Sequence, residues 1–403
     1  MDPIRNPFVP GAGTPPPELT GRGELLDRAR VLLARTKLGR PSKSFIAVGL
    51  RGVGKTVLLA RVRQLAEQAD YRICAIEAHE QKSLPDLLIP HLRRVLLELD
   101  RAGALSEHVK KGLRVLKSFM NSVKLSYGEA TLALDIDGER GAADSGDIEA
   151  DLPELFVAVG RAAVARETAV VLVIDELQYL SERDMSALIM GLHRVAQDGL
   201  PLTLVGAGLP QVVGLTGRSK SYAERLFDFP LVAALSPDDA AAALAGPAKS
   251  EGVQFDGRAL DKIVEVTRGY PYFLQEWGYH TWNKATSSPI SEADVDAASP
   301  AALRALDESF FRVRLDRLTP RERDYLRAMA ELGPGPHRSG DISDGLGISV
   351  TSAGPLRSGL IGKGMIYSPA HGDTAFTVPL FDEFMRRTIP VPPPKYTPRI
   401  VRI

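Results

Sequence analysis

The segment Gly49-Leu50-Arg51-Gly52-Val53-Gly54-Lys55-Thr56 follows the apolar run Phe45–Val48 and precedes a helical pattern over Val57–Gln68. It matches G-x-x-x-x-G-K-[ST] in the strand, loop and helix context which that pattern requires. Gly49, Gly52 and Gly54 put no Cβ in the way. Backbone N–H groups running through Val53 to Val57 can therefore curl round a β-phosphate, helped by the positive end of the following helix. Lys55 is positioned to give a point charge to the β and γ oxygens, and the Thr56 hydroxyl to ligate Mg²⁺. The ligand this chemistry points to is ATP–Mg²⁺.

About 120 residues downstream, Val170-Val171-Leu172-Val173-Ile174-Asp175-Glu176 is an apolar strand ending in two carboxylates. A buried strand is rigid, so Asp175 at its tip can hold a magnesium water shell while Glu176 orients and deprotonates an attacking water. Alone the pattern is weak; beside the glycine-rich loop it is strong.

Further short apolar runs, Ile73–Ile76 and Leu202–Val205, alternate with helical patterns over Leu84–Leu99, Leu152–Ala165 and Asp184–Gln197. Strands alternating with helices call for a parallel sheet covered on both faces, an α/β nucleotide-binding layout. From Ser126 to Glu154 nine acidic residues stand against Arg140 alone, with alternation through Thr131–Ile136. This predicts a hairpin or exposed loop, either solvated or docking a partner. Unchanged ATP turnover and assembly after deletion of 128–147 would leave only the solvated reading.

After Ser236 the pattern turns helical. Ser236-Pro237-Asp238-Asp239 is a helix start, and helices at about 237–249, 257–267, 271–285 and 291–298 make a small lid. Its aromatics, from Tyr270, Tyr272 and Phe273 to Trp277, Tyr279 and Trp282, suit packing or base stacking. Thr319-Pro320-Arg321-Glu322 is a capping box. It opens a series of helix, helix, turn, helix (Ser352–Lys363) and two short strands, the order of a winged helix-turn-helix, with Pro355 expected in a first turn. The division expected is a flexible arm over 1–17, the ATPase core over 18–235 with its insertion at 126–154, the lid over 236–300, the winged helix over 301–390 and a tail over 391–403.

Fifty Lys/Arg cancel fifty Asp/Glu, and the pI is near 7.1, so no global field marks a nucleic-acid or membrane binder. Residues 304–403 carry fifteen basic against eleven acidic residues, a thin excess for gripping phosphates. Candidate contacts there are Arg357, Ser358 and Lys363, with His337 and Arg338 before them placed to touch either DNA or a nucleotide phosphate. A single cysteine, Cys74, rules out an internal disulfide and suits a reducing cytoplasm. Residues 1–17 lack the features of a signal peptide, and no run approaches the ~20 apolar residues of a membrane span.

Together these motifs resemble the AAA+ ATPases over about residues 18 to 390. More narrowly, they are similar to bacterial and archaeal ATPases related to replication initiators and to the STAND signalling ATPases. The resemblance implies a P-loop NTPase of AAA+ type with ATP and Mg²⁺ as cofactors, and a homo-oligomer. It also implies duplex DNA engaged through 319–380 or, on the STAND-like side, a signalling or defence regulator whose ATP state gates a protein–protein interaction without DNA; a protein client is a further partner. Leu19-Thr20-Gly21-Arg22 looks like the adenine-binding box, making Leu19 and Thr20 adenine contacts, or else a lead-in to the first helix. Ser221-Tyr222-Ala223-Glu224-Arg225 lies where the family carries its arginine finger, so Arg225 is the candidate, with Arg218 and Lys220 as rivals and a surface salt bridge as the alternative. The sensor-1 strand runs into Gly206-Ala207-Gly208-Leu209-Pro210-Gln211 with no Asn, Ser or Thr at its end, which leaves Gln211 as a displaced sensor or a turn residue. Gly269-Tyr270-Pro271 looks like the Gly-x-Pro motif by which the lid touches nucleotide through Pro271, and it favours the STAND-like side.

Overall fold

Short uniformly apolar runs have no polar face to offer water, so they become strands covered on both sides. The computed structural model describes residues 1–11, 19–40, 42–100, 107–123 and 137–392. The expected alternation at Thr131–Ile136 lies outside them. The chain divides into two units. One comprises Arg22–Gly49 and Lys55–Val232; the other comprises Met1–Gly21, Leu50–Gly54 and Ala233–Ile403.

The first unit runs α1 (Gly23–Lys37), β1 (Ser44–Val48), α2 (Lys55–Gln68), β2 (Tyr71–Glu77), α3 (Leu84–Asp100), α4 (Glu107–Ser122), α5 (Ile148–Val164), β3 (Ala169–Asp175), α6 (Glu182–Gln197), β4 (Leu202–Gly208), α7 (Gln211–Ser219), α8 (Ala223–Leu226) and β5 (Phe227–Asp228). Its five strands form a parallel sheet in the order β2-β3-β4-β1-β5. The α/β P-loop core read from the sequence is therefore the observed one. β1 and β4 are buried along their whole length, and β3 is buried up to Asp175. Cys74 is a buried member of the core, and loss of solvation pushes its thiol up to about 12, leaving it inert.

β4 extends three residues beyond the expected Val205, through Gly206, Ala207 and Gly208. A side chain at Gly206 would come within 2.4 Å of Leu177 Cδ1, so glycine there admits the turn that follows β3. The acidic stretch is folded over its described part. Glu139 pairs with Arg114 at 2.7 Å, and Asp151 accepts from Ser145, Gly146 and Ser122.

The second unit contains α9 (Pro237–Ser250), α10 (Gly257–Thr267), α11 (Pro271–Lys284) and α12 (Glu292–Ala305), the four expected lid helices. A π-helical turn at Leu306–Phe311 leads into α13 (Arg312–Leu315), α14 (Pro320–Glu331), β6 (His337–Arg338), α15 (Ser339–Leu346), α16 (Val350–Gly362), β7 (Ile366–Tyr367), β8 (Asp373–Phe376) and α17 (Phe381–Thr388). The capping box at Thr319 and Glu322 forms as read. The antiparallel order β6-β8-β7 beside α14, α15 and α16 is compatible with a winged helix-turn-helix.

Two expectations are corrected here. Residues 1–11 of the arm do not wander. Phe8 is buried against Trp282 and Phe255, Trp282 Nε1 donates to the Asp2 carbonyl at 2.9 Å, and Asn6 donates to the Tyr279 carbonyl. Residues 1–17 are rich in proline and glycine, a composition that favours a mobile arm, but burying one phenylalanine contributes about 1.5–3 kcal/mol against it. Nor is Pro355 in a first turn: Ser349 caps α16, which places Pro355 inside the helix, where the Thr351 carbonyl loses its N–H donor. Both residues are exposed, which leaves that carbonyl open to solvent.

Candidate functional site

Parallel strands bring their C-terminal ends to one edge, where loops can converge. At that edge of the first unit, Lys55 is buried and its Nζ donates to the Gly49 carbonyl at 2.9 Å. Thr56 Oγ1 donates to Asp175 Oδ2 at 2.7 Å, while Asp175 Oδ1 accepts from the Glu176 N–H at 2.8 Å. Lys55, Thr56, Asp175 and Glu176, named from the sequence, thus converge across 119 residues of chain. Glu176 sits at φ 54°, ψ 36°, a left-handed conformation that a β-carbon makes costly, which turns its side chain off the line of β3.

A third carboxylate stands beside them. Glu77 ends β2 directly opposite Asp175. Burial pushes the Glu77 carboxyl up, and the charges of Asp175 and Glu176 push it further. Burial likewise raises Asp175, and the Glu176 charge adds to it, against the Thr56 hydrogen bond and the Lys55 charge. Such crowding favours a bound cation. Among the described residues no three His, Cys, Asp or Glu side chains form a metal cage.

The second unit holds the middle of the loop. Gly52 and Gly54 have φ of 81° and 93°, which only glycine adopts freely. The Gly52 carbonyl accepts from the Tyr272 N–H at 3.2 Å, and a Cβ on Gly52 would lie 3.4 Å from that of Tyr272. Tyr272 follows Pro271, which occupies the first turn of α11, and stacks on Phe310 with centroids 4.5 Å apart. Val53 is buried, and the Arg51 N–H donates to the Thr377 carbonyl at 3.1 Å. The lid aromatics Phe273, Trp277 and Trp282 are core, not a stacking platform.

Leu19 and Thr20 are half-buried, and Thr20 Oγ1 is buried with no hydrogen-bond partner, a polar atom suited to a ligand. Within the first unit, the buried Lys55 and the carboxylate crowding beside Thr56 fit a magnesium nucleotide. Val57 lies half-buried in the first turn of α2.

Arg225 is exposed on α8 and makes no side-chain ion pair or hydrogen bond among the described residues. Its rivals are engaged, Arg218 with Glu182 at 2.7 Å and Lys220 with Glu149 at 3.7 Å. Gln211 begins α7 and is half-buried. The residue that meets the tip of β4 is instead Gln178, whose side chain bonds both Glu176 and the Leu209 N–H. The sequence reading passed over it, although Asp-Glu-Leu-Gln puts it two residues from the catalytic candidate.

Residues 18–205 match the family model described as an AAA ATPase domain. That span is an AAA+ P-loop ATPase domain. Residues 308–385 match a second family, a domain of unknown function. No curated protein sequence matches the chain. Among solved structures, the chain resembles a Walker-type ATPase of Pyrococcus abyssi, with a TM-score of 0.55, 19% identity, and 93% of this chain and 97% of that one covered. Weaker likenesses are the Orc1 protein of Aeropyrum pernix in complex with DNA, with a TM-score of 0.46, 16% identity and 96% of each chain covered. The Cdc6p of Pyrobaculum aerophilum has a TM-score of 0.47, 15% identity, and 96% and 99% covered. Among the described residues no helix is long and apolar enough to cross a membrane.

Proposed function

We propose that this chain is an ATP-gated switch that binds ATP–Mg²⁺ at Gly49–Thr56, hydrolyses it slowly, and assembles with further copies of itself in the ATP-bound state. The observation that carries the reading is the convergence of Lys55, Thr56, Asp175 and Glu176. Lys55 meets the β and γ oxygens, exchanging its bond to the Gly49 carbonyl for them. Thr56 and Asp175 would hold a magnesium ion, which when bound would supply positive charge to the phosphates. Glu176 takes a proton from the attacking water. Leu19, Thr20 and Pro271 contact the nucleotide, and Gln211, the first residue of α7, keeps a structural role.

Arg225, exposed and unengaged, supplies the finger to a neighbouring copy. Arg225→Ala is expected to cut turnover about a thousandfold at protein concentrations where the wild type assembles, with ATP affinity retained. Turnover intact at high concentration would remove Arg225 from the site.

For the C-terminal domain, a specific observation favours a protein partner over duplex DNA. Taken as a winged helix, its reading helix and wing span Ser349–Thr377 and hold two Lys/Arg only, Arg357 and Lys363. Both are committed inside the domain. Arg357 donates to Thr374 Oγ1, Ser368 Oγ and the Asp373 carbonyl, and Lys363 to Glu322 Oε2 at 2.7 Å. His337 bonds the Gly333 carbonyl, and Arg338 pairs with Asp373. Few cations remain to neutralise phosphates, and duplex affinity grows with their number. Light scattering with ADP and with a non-hydrolysable ATP analogue, with and without generic duplex DNA, tests both parts. The expected result is growth in mass with the ATP analogue and none from DNA at about 150 mM salt. A DNA complex with affinity falling steeply between low and moderate salt would restore the initiator-like reading, and a mass that ignores ATP would remove self-assembly.

A further inference from the structure

Gln178 occupies the 3-10 turn Leu177–Tyr179 that follows β3. Its side-chain nitrogen donates to Glu176 Oε2, and its oxygen accepts from the Leu209 N–H at 2.9 Å. The amide has only one sensible orientation here. A backbone N–H can only donate, so the oxygen must face Leu209, and the NH₂ is left for the carboxylate. Leu209 directly follows β4, the strand paired with β3 on one side and β1 on the other. Gln178 is therefore a bridge from the tip of β4 to the carboxylate proposed as the base.

The strand is shaped to admit this bridge. A Cβ at Gly208 would stand 3.0 Å from Gln178 Oε1, and one at Gly206 would collide with Leu177. Glycine weakens a strand interior, and here two of them lie where the turn presses against β4. The tip itself reads Gly206-Ala207-Gly208-Leu209, with no side chain able to hydrogen-bond. The neighbouring turn supplies the polar group that the strand lacks.

We infer that Gln178 is a positioning residue for hydrolysis, holding one carboxylate oxygen of Glu176 so that the other faces the attacking water, and coupling that orientation to the tip of β4. This deepens the proposed role of Glu176 and rests on it. A glutamate in a left-handed turn has three side-chain torsions to fix. The donated hydrogen bond fixes the far end of that chain, and a misplacement of about 1 Å in such a group can cost 10²-fold in rate.

The test is steady-state phosphate release and equilibrium ATP–Mg²⁺ titration on the full chain. The variants are Gln178→Ala, Gln178→Asn, Gly208→Ala, Glu176→Gln and the double variant Glu176→Gln/Gln178→Ala. Gln178→Ala should lower kcat by about 10- to 100-fold with ATP affinity unchanged. Gln178→Asn keeps the amide but is one methylene too short to span both partners, and it should fall in the same way. Gly208→Ala, which crowds the amide oxygen without removing it, should do likewise. Because Gln178 acts through Glu176, adding Gln178→Ala to Glu176→Gln should cost nothing further. Additive losses, or a loss of ATP affinity with kcat intact, would make Gln178 a structural residue and overturn the inference. Should Glu176→Gln abolish turnover while the Gln178 and Gly208 variants turn over normally, only this inference fails. Should Glu176→Gln itself turn over normally, the general-base reading fails first and takes the inference with it.

Discussion

Glu176→Gln is expected to lower ATP turnover by about 10²- to 10⁴-fold, the range that general-base catalysis supplies, without weakening ATP binding. Glutamine keeps the volume and the left-handed backbone of Glu176 and can still accept from Gln178, but it cannot take a proton. Its effect on binding follows from the crowding at the strand ends. The Glu176 charge raises both Asp175 and Glu77, so removing it lets those carboxyls ionise more readily, while Thr56 and Asp175, the residues assigned to the cation, stay in place. The variant should then persist in the ATP-bound state, visible as a lasting ATP-dependent gain in mass. Phosphate release and ATP titration check the two halves separately. Turnover within about threefold of the wild type would exclude Glu176 as the base, and lost ATP affinity would show that its charge serves binding.

The parts of the site legible in the sequence are those whose geometry is written in adjacent residues. Gly52 and Gly54 adopt φ values that demand glycine, and Asp175 ends a run too apolar to be anything but a buried strand. What the sequence hid depends on residues distant in the chain. Gln178 is an unremarkable polar residue until β4 brings Leu209 to it, 31 residues on. The commitment of Arg357 and Lys363 is likewise invisible to a charge count, because their partners Thr374 and Glu322 lie on other elements. Phe8 belongs to a stretch whose prolines suggest disorder, and its place is set by Gly278, where a Cβ would meet the ring at 2.6 Å. Two-residue β5 pairs with β1 through Ser44–Phe227 and Phe45–Asp228 only, too short to carry a periodicity.

Lys55→Ala should separate ligand binding from folding. Without nucleotide, the Lys55 ammonium is buried and bonded to the Gly49 carbonyl, so truncation removes one charge-assisted hydrogen bond and one buried cation together. Those contributions oppose each other, and the ligand-free variant should unfold within about 1–2 kcal/mol of the wild type. The ligand-bound forms diverge far more. A ligand that binds only the folded state at a hundred times its dissociation constant stabilises it by about 2.7 kcal/mol, and a nucleotide that has lost its principal cation contact adds almost none of this. Denaturant unfolding with and without ATP–Mg²⁺ therefore reads the effect as a vanished midpoint shift in Lys55→Ala. ATP-dependent assembly should vanish with it, since an unoccupied switch has no ATP state to report. If the midpoint still moved with ATP as in the wild type, the nucleotide would bind somewhere other than Gly49–Thr56. If the midpoint shift were lost but assembly survived, assembly would be independent of nucleotide, and the proposal of an ATP-gated switch would fail even with the binding site correctly assigned.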